Sequence, residues 1–432
     1  MSKTLLSARL LSHLLWANVL FHGYTIAFQY SGCHKLLSNQ LPERKNTNVL
    51  KTSYSDASDF TWDSFSKQTG KFVSATILAW SLASGTTSAL PQRPPESNAQ
   101  IILLESLPSS SSAAKELGTI LGKITTEGSG NIRSVDSKGQ KGLKPWADVA
   151  KAQKASEAYL SNKAEAIINS VQPKYKEEAT QLIAEIKSDL ADLNAALAKE
   201  NKDKAVQAQV NALDRINYLG TMLAKSSFEA EPDDEILAPK FSGRAVVEMK
   251  VNVAKTKKTE GTKTMKILVD GVNAPYSSGN FLELVSLGFY DGLPITFVDE
   301  STVLTGDPPG KPVGYEKDGK LRTIPIELRA EGDKSISYGE TLEEQGRFTA
   351  KPVLPFSAYG ALAMAHPADN PNGGSSQIFF LKFDPIYTPA GLNTLDGNYA
   401  VFGYVTQGSA ALDDLAEMDT IQSAKVLKTI EL

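Results

Sequence analysis

Five apolar residues, Leu182, Ile186, Leu190, Leu193 and Leu197, recur at spacings of four, four, three and four with polar residues between them. That rhythm places them on one face of a helix. After Asn201-Lys202-Asp203 it resumes through Val206, Val210, Leu213, Ile216, Leu219 and Leu223. Before Pro173, the stretch from Pro145 to Val171 has few breakers and opens on a proline suited to a first helical turn. Three helices of about 20 residues, each with one apolar stripe, bury those stripes only against one another or a partner, so an antiparallel bundle is expected. A coiled-coil seam is the competing reading, but each stripe lasts only about two heptads. Upstream, Ile101–Leu107 and Ala113–Ile124 read as shorter helices, and the polar, Gly-rich Gly128–Gly142 as a loop. The acidic, proline-containing Glu229–Glu235 reads as the end of the helical region.

Beyond Phe241 the period changes. Ala245–Val253 and Met265–Val269 are short β-type runs separated by the polar Lys255–Lys263, and Pro275–Gly288 offers a helix. Further β-type runs lie at Ala361–Ala365, Ile378–Lys382, Tyr399–Val405 and Ile421–Leu432. Many short strands with few helices imply a barrel or sandwich. Between Lys311 and Pro352 a long charged segment holds Arg322, Glu327, Arg329, Glu331, Glu340, Glu343 and Glu344. It is expected to be a solvated surface insertion, with a partner-binding loop as the functional alternative.

The first 89 residues read as removable. Lys3 and Arg9 precede an apolar run through Leu14, Leu15, Val19, Leu20 and Phe21 that ends in Thr25-Ile26-Ala27, the layout of a signal peptide. A Ser-, Thr-, Asn- and Lys-rich stretch to about Gly70 suits a transit peptide. Lys71 then opens a second apolar run that ends at Thr87-Ser88-Ala89. Neither run reaches the ~20 residues of a membrane-spanning helix. A signal, a transit region and a second signal in series resemble the targeting of thylakoid-lumen proteins in algae whose plastid has extra membranes. An ordinary signal peptide followed by a linker is the alternative. The mature chain is expected to run from Leu90 with no permanent membrane span. N-terminal sequencing of protein from isolated thylakoids should read Leu90; a start near Phe28, or retention in the membrane, contradicts this.

Removing these residues takes away 8 of the 45 basic and 4 of the 49 acidic residues, leaving a net charge near −8, which disfavours nucleic acid as a partner. The only cysteine, Cys33, goes too, and of four histidines only His366 stays. Thiolate or Cys/His metal sites, disulfides and most hydrolase triads are therefore disfavoured, and no metal or cofactor is expected.

The second part of the chain resembles the cyclophilins, the barrel-fold peptidyl-prolyl isomerases. Asn280-Phe281 through Gly288-Phe289-Tyr290-Asp291-Gly292 looks like the family's first helix and the turn after it. Gly360–Ala365, Gly374–Phe380 and Leu395–Val405 are similar to the three segments that line its proline groove. The helical region, the lumenal targeting and Thr305-Gly306-Asp307-Pro308 narrow the resemblance to the large thylakoid-lumen cyclophilins, a group implicated in photosystem II assembly and maintenance. The implied fold is multidomain, α plus β: targeting segments over 1–89, a helical bundle over 90–235 and a cyclophilin-like antiparallel β-barrel over 241–432. In that group the helical domain has been proposed to cover the cyclophilin surface, so an intramolecular contact between the two domains is implied.

The family's reaction is rotation about an X-Pro amide, whose barrier is about 18–20 kcal/mol and which a groove lowers by binding the twisted amide best. In the family an arginine hydrogen-bonds near the proline nitrogen and carbonyl while a phenylalanine holds the ring. Aligned from Tyr290-Asp291-Gly292 to Gly306-Asp307, the arginine position is Phe297, the phenylalanine is Ser301 and the following glutamine is Leu304. No catalytic residue is assigned; Arg322, Arg329 and Arg347 are the arginines that could reach in from elsewhere. The resemblance assigns Phe297, Met364, Ala365, His366, Gln377, Phe379, Leu395 and Tyr399 to a peptide groove, with Tyr399 where a histidine is common and Thr394 where many members carry tryptophan. The bland alternative for Met364, Phe379 and Leu395 is barrel core. The expectation is an assembly factor that binds lumenal segments of photosystem II proteins with weak or absent isomerase activity. A working prolyl isomerase is the alternative, and a purely structural photosystem subunit is a weaker third.

Overall fold

Helices α1 (Ser97–Glu105), α2 (Ser112–Thr126), α3 (Pro145–Ser170), α4 (Lys176–Ala198) and α5 (Lys202–Leu223) form the first part of the structure. The protein is seen here as a computed structural model that describes residues 97–126, 145–224, 236–254, 260–307, 314–382 and 393–432. The targeting segments, the 128–142 loop and the acidic 229–235 stretch lie outside the described residues. The stripe residues of α4, Leu182 to Leu197, are all buried, as are Val210, Leu213, Ile216, Leu219 and Leu223 of α5. Asn201 starts α5 by accepting the Lys204 N–H at 3.0 Å. The first helix begins four residues before Ile101 and ends before Leu107. The apolar run Ile101–Leu104 is spread round the helix and marks neither end, whereas Pro108 stops it.

The second part is built on an eight-stranded sheet, with two two-stranded sheets beside it. Its members, with the small strands between them, are β1 (Gly243–Val253), β2 (Gly261–Asp270), helix α6 (Pro275–Ser286), β3 (Ile295–Val298), β4 (Thr302–Thr305), β5 (Glu316–Lys317), β6 (Lys320–Leu321), β7 (Glu327–Leu328), β8 (Ser337–Tyr338), β9 (Ala361–Met364), β10 (Ile378–Leu381), β11 (Val401–Gln407) and β12 (Thr420–Glu431). The order is β12-β1-β2-β11-β9-β10-β4-β3, all antiparallel. Backbone bonds between 292–295 and 418–421 join the last strand to the first. A closed sheet has no free edge, and alternation sends Val247, Met249, Val251, Ile267, Val269, Leu362 and Phe402 inward against Phe281 of α6. The outward set, including Leu268, Tyr404, Ala363, Phe379 and Leu304, is equally apolar and continues the core of the helices.

The helices are fastened to the barrel through a buried polar network. Arg244 on β1 donates to Asp270 at 2.7 Å, to Asn217 of α5 at 3.0 Å, to Ser106 Oγ at 2.9 Å and to the Leu103 carbonyl. Asp270 also accepts from Ser106, Asn273 and two backbone N–H groups. Both ionic side chains are fully buried. Asp214 of α5 is held by Gln100 and by Gln407 of β11, and Tyr175 bonds both backbone groups of Glu431.

The 314–352 segment corrects the expectation of a solvated insertion. Ile324, Ile326, Leu328 and Ala330 alternate inward and are buried, and Leu342 joins them. Glu327 is buried as well, because its carboxylate accepts the Tyr276 and Ser277 N–H groups at 2.6 and 2.9 Å and so caps α6. Its charged look in sequence comes from residues between these positions.

Burial pushes Glu327 up to about 7, and Asp214 and Asp189 up to about 6; Glu105 moves the same way. Each of these carboxyls keeps its proton to higher pH in the folded chain than in the unfolded one, where release begins near 3.8 for Asp and 4.5 for Glu, so its contribution to stability falls as pH climbs through 6 and 7. His366 opposes this: burial lowers its pKa, so the folded state loses ground as pH falls through 6.5. Carboxyls outnumber the histidine. The melting temperature should be higher at about pH 5.5 than at about pH 7.5, and Glu327→Gln should shrink the difference. A melting temperature that rises over that interval contradicts the assignment.

Candidate peptide-binding site

The strand pair β3–β4 sets Phe297 directly opposite Leu304, and both join the outer apolar cluster. Where the resemblance places an arginine and a glutamine, two apolar side chains therefore face each other. Ser301 is used locally: its N–H and hydroxyl bond Asp299 Oδ1 at 2.8 and 3.1 Å, closing a tight turn.

Phe379 stands on β10 in the same cluster, but it is fully buried. Phe356 stacks on it with centroids 5.7 Å apart and planes at 11°, and Tyr399 meets it edge-on at 5.5 Å. The 353–358 segment that brings Phe356 is held by Tyr404 Oη donating to the Pro355 carbonyl at 2.8 Å and by Asp396 accepting the Phe356 N–H at 2.7 Å. The Phe379 ring is covered by the chain's own phenylalanine. Phe379, which the resemblance assigns to the groove with core as the alternative, is on that ground part of the buried packing. Met364 is corrected too: strand alternation turns it into the barrel interior with Ile378 and Phe380, while its neighbours Ala363 and Ala365 face out. Ala365 is buried, and Gln377 is held by its side-chain amide donating to Asp307 at 3.1 Å.

The other predicted residues do meet. His366, Leu395 and Tyr399 line one side of an open cavity of about 680 Å³, together with Thr394 and Asn398. The His366 ring lies parallel to that of Tyr399, with centroids 4.3 Å apart. Its Nδ1 and Nε2 stand 2.8 Å and 2.9 Å from the carbonyls of Pro367 and Asn398. Burial lowers the ring's pKa against the pull of those two acceptors. Burial also raises the Tyr399 phenol to about 12, so that side chain stays neutral. The opposite wall of the cavity comes from residues 341–350, within the segment whose alternative reading in the sequence is a partner-binding loop. The signal that could have found it is the alternation from Ile324 to Ala330, which fixes the insertion to the barrel. Phe356, just before β9, had no such signal.

None of the three alternative arginines reaches the Phe297–Phe379 face. Arg322 is buried against Glu283 and over the Tyr315 ring, and Arg329 donates to the Ser106 carbonyl beside the helices. Arg347 lines the cavity, but both its terminal nitrogens bond Asp333 at 2.8 Å. Among the described residues no helix of the bundle lines the cavity; the bundle sits against β1, β11 and β12. Among the described residues no group of three or more His, Cys, Asp or Glu is placed to hold a metal ion, and no helix is long and apolar enough to cross a membrane.

Residues 253–432 match the family model for cyclophilin type peptidyl-prolyl cis-trans isomerase, and residues 98–223 match that for the PsbQ-like domain of CYP38-like peptidyl-prolyl cis-trans isomerases. A thylakoid lumen peptidyl-prolyl cis-trans isomerase of Synechocystis is 39% identical over 287 residues, which cover 66% of this chain and 73% of that one. Chloroplastic CYP38 of Arabidopsis thaliana is 32% identical over 346 residues, 80% of this chain and 77% of its own. A cyclophilin crystal structure from Cryptosporidium parvum aligns with 43% of this chain and 98% of its own at 21% identity and a TM-score of 0.31. With both segments matched in order and two relatives aligned over most of their length, the chain belongs to the CYP38-like cyclophilins of the plastid thylakoid lumen.

Proposed function

We propose that the chain is a peptide-binding assembly factor for photosystem II whose prolyl isomerase activity is at or near background. The observation that carries the reading is the apolar Phe297–Leu304 pair at the place of a polar, charge-bearing one. Rotation about a prolyl bond is accelerated by donors preorganised at the twisted amide, and among the described residues the Phe297–Leu304 pair offers none. Binding is a separate capacity. The cavity beside His366, Leu395 and Tyr399 is concave, part apolar and of the size that holds a short peptide segment. The photosystem II role is supported by the two-part architecture, by the lumenal targeting signals and by the resemblance to the large thylakoid-lumen group.

Peptides covering the lumenal loops of photosystem II proteins, titrated against residues 90–432, test this reading. At least one loop should bind saturably, and Leu395→Asp should weaken it about ten-fold or more by placing a charge in the apolar wall. Loops that bind equally well to the variant, or do not bind, contradict it.

A further inference from the structure

We propose that the cavity between the 341–350 wall and the 393–399 turn is a docking pocket for a cationic side chain, a lysine or arginine of an extended peptide whose neighbouring apolar residue rests on Phe348. The inference deepens the peptide-binding reading above and rests on it.

The lining is strongly one-signed. Glu343, Glu344, Asp369 and Asp396 all face the cavity, and the single arginine among the lining residues, Arg347, is neutralised by its two bonds to Asp333. Two of the four carboxylates are already engaged. Glu344 accepts the Thr341 N–H at 2.7 Å and Asp396 accepts that of Phe356. The carboxylates of Glu343 and Asp369 have no hydrogen-bond or ion-pair partner among the described residues, so they are left as acceptors for an incoming ammonium or guanidinium group. Carboxylates gathered in a concavity focus their field and raise the local concentration of cations, an effect that salt weakens. Burial shifts His366 toward its neutral form.

The wall is also preformed. Leu342, which is buried, donates its N–H to the Gly397 carbonyl at 2.9 Å and so ties the insertion to the opposite side of the cavity. Thr341 and Glu344 exchange two hydrogen bonds, and the Arg347 N–H returns to Leu342. A ligand meets a site whose geometry is fixed, so little ordering is needed on binding. At the rim Phe348 is 74% exposed, an aromatic face that can take an apolar side chain or stack with a guanidinium.

The test is fluorescence anisotropy with residues 90–432 and three labelled nonapeptides, identical except for Lys, Gln or Glu at the centre beside a phenylalanine. The lysine peptide should bind about ten-fold tighter than the glutamine peptide and the glutamate peptide weakest, with the advantage shrinking between about 50 and about 300 mM salt. Glu343→Gln with Asp369→Asn should bring the lysine and glutamine peptides to within about two-fold, and Phe348→Ala should weaken all three. Both changes are on exposed side chains, so unaltered melting shows that folding is intact. Equal affinity for the three peptides, or a lysine advantage that survives in the double variant, overturns the pocket while leaving peptide binding standing. Failure of all three to bind overturns both readings. Self-association of the chain that the double variant abolishes would give the pocket to a second copy, and overturns the proposal as well.

Discussion

Arg244→Met should lower the stability of the folded chain by about 3–5 kcal/mol, the cost of stranding a buried carboxylate without its cation. The guanidinium of Arg244 reaches α1, α5 and β2 at once, and its removal leaves Asp270 fully buried with only Ser106, Asn273 and two backbone donors. Asp270→Asn added to Arg244→Met removes that charge and should recover part of the loss, which separates electrostatics from simple packing. Chemical denaturation followed by tryptophan fluorescence and by circular dichroism should show one transition, because the network and the shared apolar cluster couple bundle to barrel. The same coupling bears on proteolysis. A cut between residues 224 and 236 should leave the two pieces eluting together under native conditions; pieces that separate at once would mean the network contributes little. A loss below about 1 kcal/mol in Arg244→Met would mean the same.

The second large effect is catalytic. A donor missing from a desolvated site costs about 10²–10³ in rate, by analogy with one oxyanion-hole group. Here Phe297 stands where the resemblance places the donor, Leu304 stands where it places the adjoining polar group, and the groove ring Phe379 is covered by Phe356. Phe297→Arg alone should therefore leave turnover near background and reduce stability, since it sets a charge against Leu304 in an apolar cluster. Phe297→Arg, Leu304→Gln and Phe356→Ala together supply a donor, a partner for it and an open seat. That triple variant is the one in which activity should emerge. Full turnover from Phe297→Arg alone would show that the seat is open.

Much of this was legible in the sequence. The α4 and α5 stripes were read correctly because a 3.6-residue period needs only local information, and the barrel segments were read from short motifs in the right order. The apolar character of the Phe297 and Leu304 positions was visible because β3 and β4 are joined by a short turn, so both fall in one short stretch of sequence. What stayed hidden depends on contacts distant in sequence. Phe356 and Phe379 are brought together by a segment that crosses the outer face of the sheet. Met364 looked like groove because the motif around it is groove-like, but one position along a strand decides inside from outside. The insertion looked solvated because its charged residues outnumber the buried apolar ones that anchor it.

The central claim separates binding from turnover, and one exchange spectrum reads both. Two-dimensional exchange NMR on a labelled Xaa-Pro peptide from a lumenal loop, with residues 90–432 added in catalytic amount, reports bound-state shifts and cis–trans cross-peaks together. The account predicts shifts and broadening that saturate with protein while the exchange rate stays at its uncatalysed value, one event in tens to hundreds of seconds. Cross-peaks growing as fast as with an ordinary cyclophilin at the same concentration would contradict it.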